Sequence, residues 1–279
     1  MLELTGATLL WGATFVVIRD TVARVDPAVL VFTRFAIATP VLFAIALIAR
    51  RRFTRAAWIG GGIAGAIAAL AFTLQAAGLR HTGAGTSAFL TALGSLFAGV
   101  FAWPLLRQRP RAVLVLGMLL AAAGTALLTG VRGLSLGSGE ALSIAGAVAF
   151  ALQVVALARF APEADPLALT AVQAAALTLA AAPFAIGRLD PSLFSPPLGG
   201  RLAYLVIAGS AVAPLLQVMA QRSLSAGRTG LLLGLEPVFA TMFAVTFGGE
   251  HPAPGWWAGA AIILAAVWLV ESRAAAASR

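Results

Sequence analysis

The sequence predicts an all-α polytopic membrane protein, with ten transmembrane helices arranged as two inverted five-helix repeats. Three observations predict it. Of 279 residues, 61% are hydrophobic and only 10% charged, against about a quarter charged in soluble domains, and the mean hydropathy is +0.97. A water-soluble body of this size needs a polar shell that such a composition cannot supply. Apolar runs of about 20 residues, the length that crosses the hydrocarbon, recur ten times. The second half of the chain then repeats the first with its charges on the opposite side.

The runs lie near 2–18, 28–49, 56–78, 84–106, 111–130, 138–159, 166–187, 201–221, 228–248 and 254–271. The first starts with Glu3, has no basic lead-in and does not stop at a small-residue cleavage site, so it reads as a retained span and not a signal peptide. Asp26-Pro27 opens the second, and Arg50-Arg51-Arg52 closes it. The third ends before Arg80-His81. The fourth stops at Arg107, and the fifth begins at Arg111. The sixth ends at Arg159, and Asp165-Pro166 opens the seventh. The stretch Gly187–Arg201, with Pro191, Pro196 and Pro197, is long enough for irregular structure. Arg222 closes the eighth, and Pro252 and Pro254 separate the last two. The Ala-rich tail after Glu271 reads as a frayed end.

Every basic residue is Arg. With the N-terminus inside, twelve Arg fall on inner loops and the tail, including Arg50 to Arg52, Arg107, Arg109 and Arg111. Six fall outside: Arg19, Arg24, Arg80, Arg132, Arg188 and Arg201. Basic residues accumulate on the cytoplasmic side, so both termini are expected inside, in a bacterial inner membrane. The net charge of +9 is thus a topology signal with some affinity for anionic lipid. No aromatic–basic interleaving on a soluble face suggests nucleic-acid binding.

A shift of 142 residues lays Gln75, Arg80, Gly85 and Leu93 onto Gln217, Arg222, Gly227 and Leu235. It also lays Phe97, Phe101, Pro110 and Gly117 onto Phe239, Phe243, Pro252 and Gly259. A shift of 139 aligns Asp26-Pro27 with Asp165-Pro166 and sets Arg34 against Gln173. The repeats are expected over 1–133 and 134–279. Each has five spans, an odd number, so the second enters the membrane upside down. Such an arrangement is typical of secondary transporters, with the substrate held near mid-membrane between the halves. A channel would need a filter motif or an acidic ring, and neither is present.

Absences exclude other chemistry. Without Cys there is no thiol nucleophile or disulfide, and without Lys no Walker A loop or Schiff base. His81 and His251 are too few for a His-dominated metal cage. No metal or cofactor is expected, and no enzymatic activity: no Asp is mid-span and neither His is deep, as an intramembrane protease would require.

Ionisable groups in the hydrocarbon are functional suspects. Glu236 is the one deep carboxylate. Pro237, next to it, lacks the N–H that would bond the carbonyl one turn earlier. Glu236 could bind an amine or take up a proton, or pair with an Arg or a backbone group to hold the kink. Arg34 could hold a carboxylate, or else snorkel outward or pair with Asp26. Gln75, Gln217 and Gln153 suit the amino or carboxyl group of a substrate, or bond between helices. Trp11, followed by Thr14 and Phe15, makes a flat apolar wall at mid-depth for a planar substrate, or else packs against the neighbouring helix; Phe72, Phe89, Leu93 and Phe150 are further apolar candidates. His81, at the outer end of span three, is a second candidate for proton coupling, or a solvated loop residue. The pairs Gly61/Gly65, Gly230/Gly234 and Gly255/Gly259 read as close helix contacts.

The chain resembles the drug/metabolite transporter superfamily, in the ten-span branch built from two EamA-type repeats. The resemblance rests on Trp11-Gly12, on the Asp-Pro openings of spans two and seven, and on Arg34 followed by Pro40. It rests also on the Ala-Gly-x4-Leu-x2-Leu-x3-Phe-Ala pattern of spans four and nine, and on Glu236-Pro237. One departure is Gly94-Ser95, where the repeat partner has Glu236-Pro237. The resemblance implies an inner-membrane exporter of amino acids and related metabolites, most similar to aromatic amino acid exporters of the YddG type, and a monomer is expected. It implies a cavity among spans one, three, four, six, eight and nine, with five and ten peripheral. Nucleosides, cationic compounds and a channel-like facilitator are the alternatives.

Overall fold

The computed structural model describes residues 1–129, 137–249, 251 and 254–276. The expected repeat boundary at 133/134 lies outside them, as do Arg132, Pro252 and Arg279. The helices are α1 (Leu2–Val22), α2 (Pro27–Ile48), α3 (Arg55–Gly78), α4a (Ala84–Ala92), α4b (Gly94–Leu106) and α5 (Ala112–Thr129). The second half holds α6 (Ser138–Phe160), α7 (Pro166–Ala185), α8 (Pro196–Gln221), α9a (Ala226–Leu233), α9b (Glu236–Thr246) and α10 (Trp256–Ala276). There is no strand among the described residues. With α4 and α9 each taken as one crossing, nine helices among the described residues are long and apolar enough to span a membrane, and the apolar stretch of α5, Ala112–Leu128, is shorter.

The α2–α7 pair shows how the halves meet. Asp26 caps α2 by accepting from Ala28 N at 2.9 Å, and Asp165 caps α7 from Leu167 N at 3.0 Å and Ala168 N at 3.1 Å. Pro27 and Pro166 occupy first-turn positions where a missing N–H costs nothing. Each cap also binds the far end of the other helix: Asp26 lies 3.7 Å from Arg188, and Asp165 lies 3.6 Å from Arg51. The two helices therefore run antiparallel. Midway, Thr39 and Thr178 are hydrogen-bonded at 3.2 Å. These are equivalent residues at the 139 shift, so a pseudo-twofold axis in the membrane plane passes between them.

The same axis relates the other self-paired helices. On α5 and α10, Gly117 faces Val270 while Gly124 faces Gly259 and Ile263, a reversed register. On the broken pair, α4a packs on α9b and α4b on α9a. Away from the axis, α3 packs on α6 as α8 packs on α1. The two five-helix repeats are thus inverted.

Helix α8 starts five residues before the expected 201, because Pro196 and Pro197 fill its first turn. Two short 3₁₀ turns, Ile186–Arg188 and Pro191–Phe194, occupy the loop before it. Gly61 and Gly65 do seat α3 against α7, at Val172 and Ala176, and Gly255 and Gly259 seat α10 against α5. Gly230 and Gly234 instead border the central cavity.

A Cβ at Gly65 would stand 2.7 Å from the Ala176 Cβ and 3.0 Å from Leu177 N, whereas one at Gly62 meets nothing within 4 Å. Overpacking of this kind costs about 1–3 kcal/mol. Gly65→Val should lower the detergent-solubilised melting temperature, read by fluorescence-detected size exclusion, and Gly62→Val should leave it within error.

Candidate functional site

The helices that cross at the axis are interrupted there. Helix α4 breaks at Leu93 and α9 at Gly234-Leu235; Leu93 and Leu235 are equivalent at the 142 shift. In α9 the cause is Pro237, whose nitrogen cannot donate to the carbonyl of Leu233. The chain tightens ahead of it, with Gly234 N shared between Gly230 O at 3.1 Å and Leu231 O at 3.0 Å. A third irregularity is a π-helical segment, Leu205–Val212, inside α8. The Gly209 carbonyl within it has no π-helical donor, because the residue five on is Pro214, which lacks an N–H, and Trp11 Nε1 donates to it at 3.1 Å. Single π-turns within α-helices are frequent at functional sites.

Around these breaks lies a central cavity. Its aromatic wall is Trp11, Phe72 and Phe150, with Thr14 beside Trp11 and with Phe72 and Phe150 edge-to-face at 4.9 Å. Its polar lining is Gln75, Gln153, Gln173, Gln217, Thr91 and Glu236. Gln153 and Gln217 exchange two amide hydrogen bonds, at 3.2 and 3.3 Å, and Gln75 donates to Thr91 Oγ1 at 3.4 Å. The Gln173 Oε1 atom is buried and without a hydrogen-bond partner. Among the described residues Glu236 has neither an ion pair nor a hydrogen-bonded side chain, so no Arg holds the kink. The cavity has a volume of about 60 Å³.

Eight of the expected site residues are brought together here: Trp11, Thr14, Phe72, Gln75, Phe150, Gln153, Gln217 and Glu236. Four are not. Phe15, 2% exposed, packs in the apolar core with residues of α2, and Phe89 is likewise buried away from the lining. Leu93 marks the α4 break without reaching the cavity. His81 is an exposed turn residue between α3 and α4a and is absent from the lining. Arg34 neither snorkels nor pairs with Asp26: it is 1% exposed, and its guanidinium carbon sits 4.9 and 4.5 Å from the ring centres of Phe35 and Phe72.

Thr91 is a polar wall residue that sequence reasoning missed, and so is Gln173. For Gln173, alignment with Arg34 was the available signal, because a polar residue in either copy at that level of the repeat is a candidate for the shared space. Two larger cavities, of about 410 and 440 Å³, lie at the Arg-rich end and contain Arg109, Arg111, Arg228 and Arg273, or Arg50 to Arg52 and Arg222. Neither has an aromatic residue in its lining.

A model of the EamA-like transporter family matches residues 2–130 and 137–272, one segment per repeat. The chain belongs to the EamA-like transporter family. Two proteins of Archaeoglobus fulgidus, each described as an uncharacterized transporter, are similar along nearly the whole transporter. One is 28% identical, covering 98% of this chain and 85% of its own; the other is 26% identical, covering 95% and 94%. A solved structure described as "Crystal structure of protein" superposes with a TM-score of 0.78 at 23% identity, covering 96% of this chain and 95% of that one. That likeness shows the fold alone. The family and these relatives make the chain a transporter and not an enzyme.

The paired amides give a stability test of the cavity wall. Gln153→Leu leaves Gln217 with unpaired donors and acceptors, at about 1–3 kcal/mol, while replacing both partners removes the orphaned group. The double variant Gln153→Leu/Gln217→Leu should therefore melt higher than either single variant, in a double-mutant cycle read by thermal unfolding in detergent.

Proposed function

We propose that the transporter exports small zwitterions with bulky apolar side chains, aromatic amino acids foremost, by alternating access without ATP. One observation carries this reading: two acceptors of the cavity, the Glu236 carboxylate and Gln173 Oε1, have no hydrogen-bond partner among the described residues, and they stand among three aromatic rings. An ammonium group satisfies both acceptors, and the rings suit an apolar side chain and attract a cation through their faces. The Arg distribution supports a bacterial inner-membrane orientation with both termini cytoplasmic, and the transporter works as a monomer in the bilayer. The two repeats rock about the axis at Thr39–Thr178 and expose the cavity to each side in turn.

A second reading is transport of a cationic compound, favoured by Glu236 being the one charged residue in the cavity lining. A carboxylate without a cation partner can also carry a proton, which would couple transport to a pH gradient.

Proteoliposomes loaded with labelled phenylalanine should release it faster than protein-free vesicles. Unlabelled aromatic amino acids should compete more strongly than nucleosides or sugars. Glu236→Gln should slow release roughly 10- to 100-fold, the loss of an ionic hydrogen bond worth about 1.5–3 kcal/mol. Release that ignores both an imposed pH gradient and Glu236→Gln would dispose of proton coupling through this residue. A steady non-saturating single-channel current would dispose of the carrier.

A further inference from the structure

The cavity is lopsided about its own axis. The 139 shift for the first two spans of each repeat, and the 142 shift for the third and fourth, give each of its lining residues a mate. Fourteen of the eighteen fall into seven mated pairs, among them Trp11 with Phe150, Gln75 with Gln217 and Gly94 with Glu236. The other four, Ala151, Val154, Gln173 and Gly230, all belong to the second repeat. Their mates Gly12, Phe15, Arg34 and Ala88 are absent from the lining. Gln173 is about 10 Å along α7 from its start at the Arg-rich end, and Gly230 about 6 Å along α9a from the same end. The space thus leans toward the Arg-rich face.

In an inverted repeat the opposite-facing state is reached when the two halves exchange conformations. Exchange brings Gly12, Phe15, Arg34 and Ala88 to the wall and withdraws their mates. Arg34 is the consequential one. Its Nε and Nη2 have no hydrogen-bond partner, and no acid among the described residues is paired with it. Phe72, the ring at 4.5 Å from its guanidinium carbon, is itself part of the cavity wall. One side chain therefore separates a buried cation from the solute path. A guanidinium in hydrocarbon without a counter-anion is costly, so the structure holds it ready for an anion that arrives only in the other state.

We propose that Arg34 is a state-dependent carboxylate site, covered by Phe72 in the conformation that leans to the Arg-rich face and part of the cavity wall in the opposite one. There it pairs with the carboxylate of the zwitterion whose ammonium Glu236 accepts. This rests on the alternating-access reading above. Only a solute with both charges engages both residues.

The chain has no cysteine, so single cysteines report accessibility without background. In vesicles of each orientation, a membrane-impermeant thiol reagent should modify Val154→Cys from the Arg-rich face and Phe15→Cys from the opposite face. If Val154→Cys reacts and Phe15→Cys is inert from both faces, the exchange is wrong and the proposal falls. In uptake assays from the opposite face, Arg34→Gln should raise the half-saturating concentration of phenylalanine at least tenfold and leave that of phenethylamine unchanged, with Arg34→Lys partly restoring the former. Equal losses for both solutes, or none, would overturn the carboxylate role. Should Arg34→Gln not fold, the Phe15→Cys variant, with Arg34 intact, still decides the exchange. If neither solute moves in wild-type vesicles, the proposed substrate is wrong while the labelling pattern still judges the wall.

Discussion

Three helix pairs cross the pseudo-twofold axis, and each has to be antiparallel because a repeat of five spans re-enters the membrane inverted. Helix α2 meets α7, α5 meets α10, and the broken α4 meets α9. A capping aspartate on an antiparallel neighbour necessarily faces that neighbour's C-terminal end. This is why Asp26 and Asp165 can each cap one helix and hold an arginine at the end of the other. Exposed ion pairs of this length contribute little stability. Their value is in register: a slip of either helix by one turn would separate both pairs together with the Thr39–Thr178 contact.

From that constraint the cavity follows. Helices that pass the axis at mid-membrane leave least room for backbone where they cross, and there α4 and α9 are interrupted. Irregular backbone at membrane depth is tolerated only where protein or a polar cavity receives its unpaired groups. The breaks and the glutamine-lined space therefore require one another. The π-helical segment of α8 obeys the same rule, since the Gly209 carbonyl, which has no π-helical donor, is taken by Trp11.

Much of this was legible in the sequence, and for identifiable reasons. Ten apolar runs, Asp-Pro openings and an arginine imbalance are one-dimensional signals, so span number, inversion and the α2 and α7 starts could be read directly. Eight wall residues were legible because polar or aromatic side chains at mid-depth in lipid have few other uses. Phe15 and Phe89 were not separable from Phe72 and Phe150 by the same reasoning: which face of an all-apolar helix looks inward leaves no trace in a chain with apolar residues on every side. The cover over Arg34 was equally hidden, because it depends on where Phe72 of another helix lies.

The copies are not interchangeable, and the asymmetry bears on energetics. Where α9 has Glu236-Pro237, α4 has Gly94-Ser95; where α8 widens into a π-helix over Leu205–Val212, α3 remains α-helical through its equivalent stretch. Exchange of conformations between such halves cannot give two states of equal energy. Trp11 is tied to Gly209 O here, whereas its mate Phe150 has no ring nitrogen to bind the corresponding carbonyl of α3. Under the alternating-access proposal that hydrogen bond favours the conformation leaning to the Arg-rich face, while the Arg34 guanidinium, held there against two aromatic rings and no anion, disfavours it. A net hydrogen bond of about 1 kcal/mol is set against a buried charge that costs about 2.5–3.5 kcal/mol on insertion scales. On the alternating-access proposal the difference, about 1.5–2.5 kcal/mol, biases the empty protein roughly 10- to 70-fold away from the conformation leaning to the Arg-rich face, and a solute bound there has to supply at least that much to hold it.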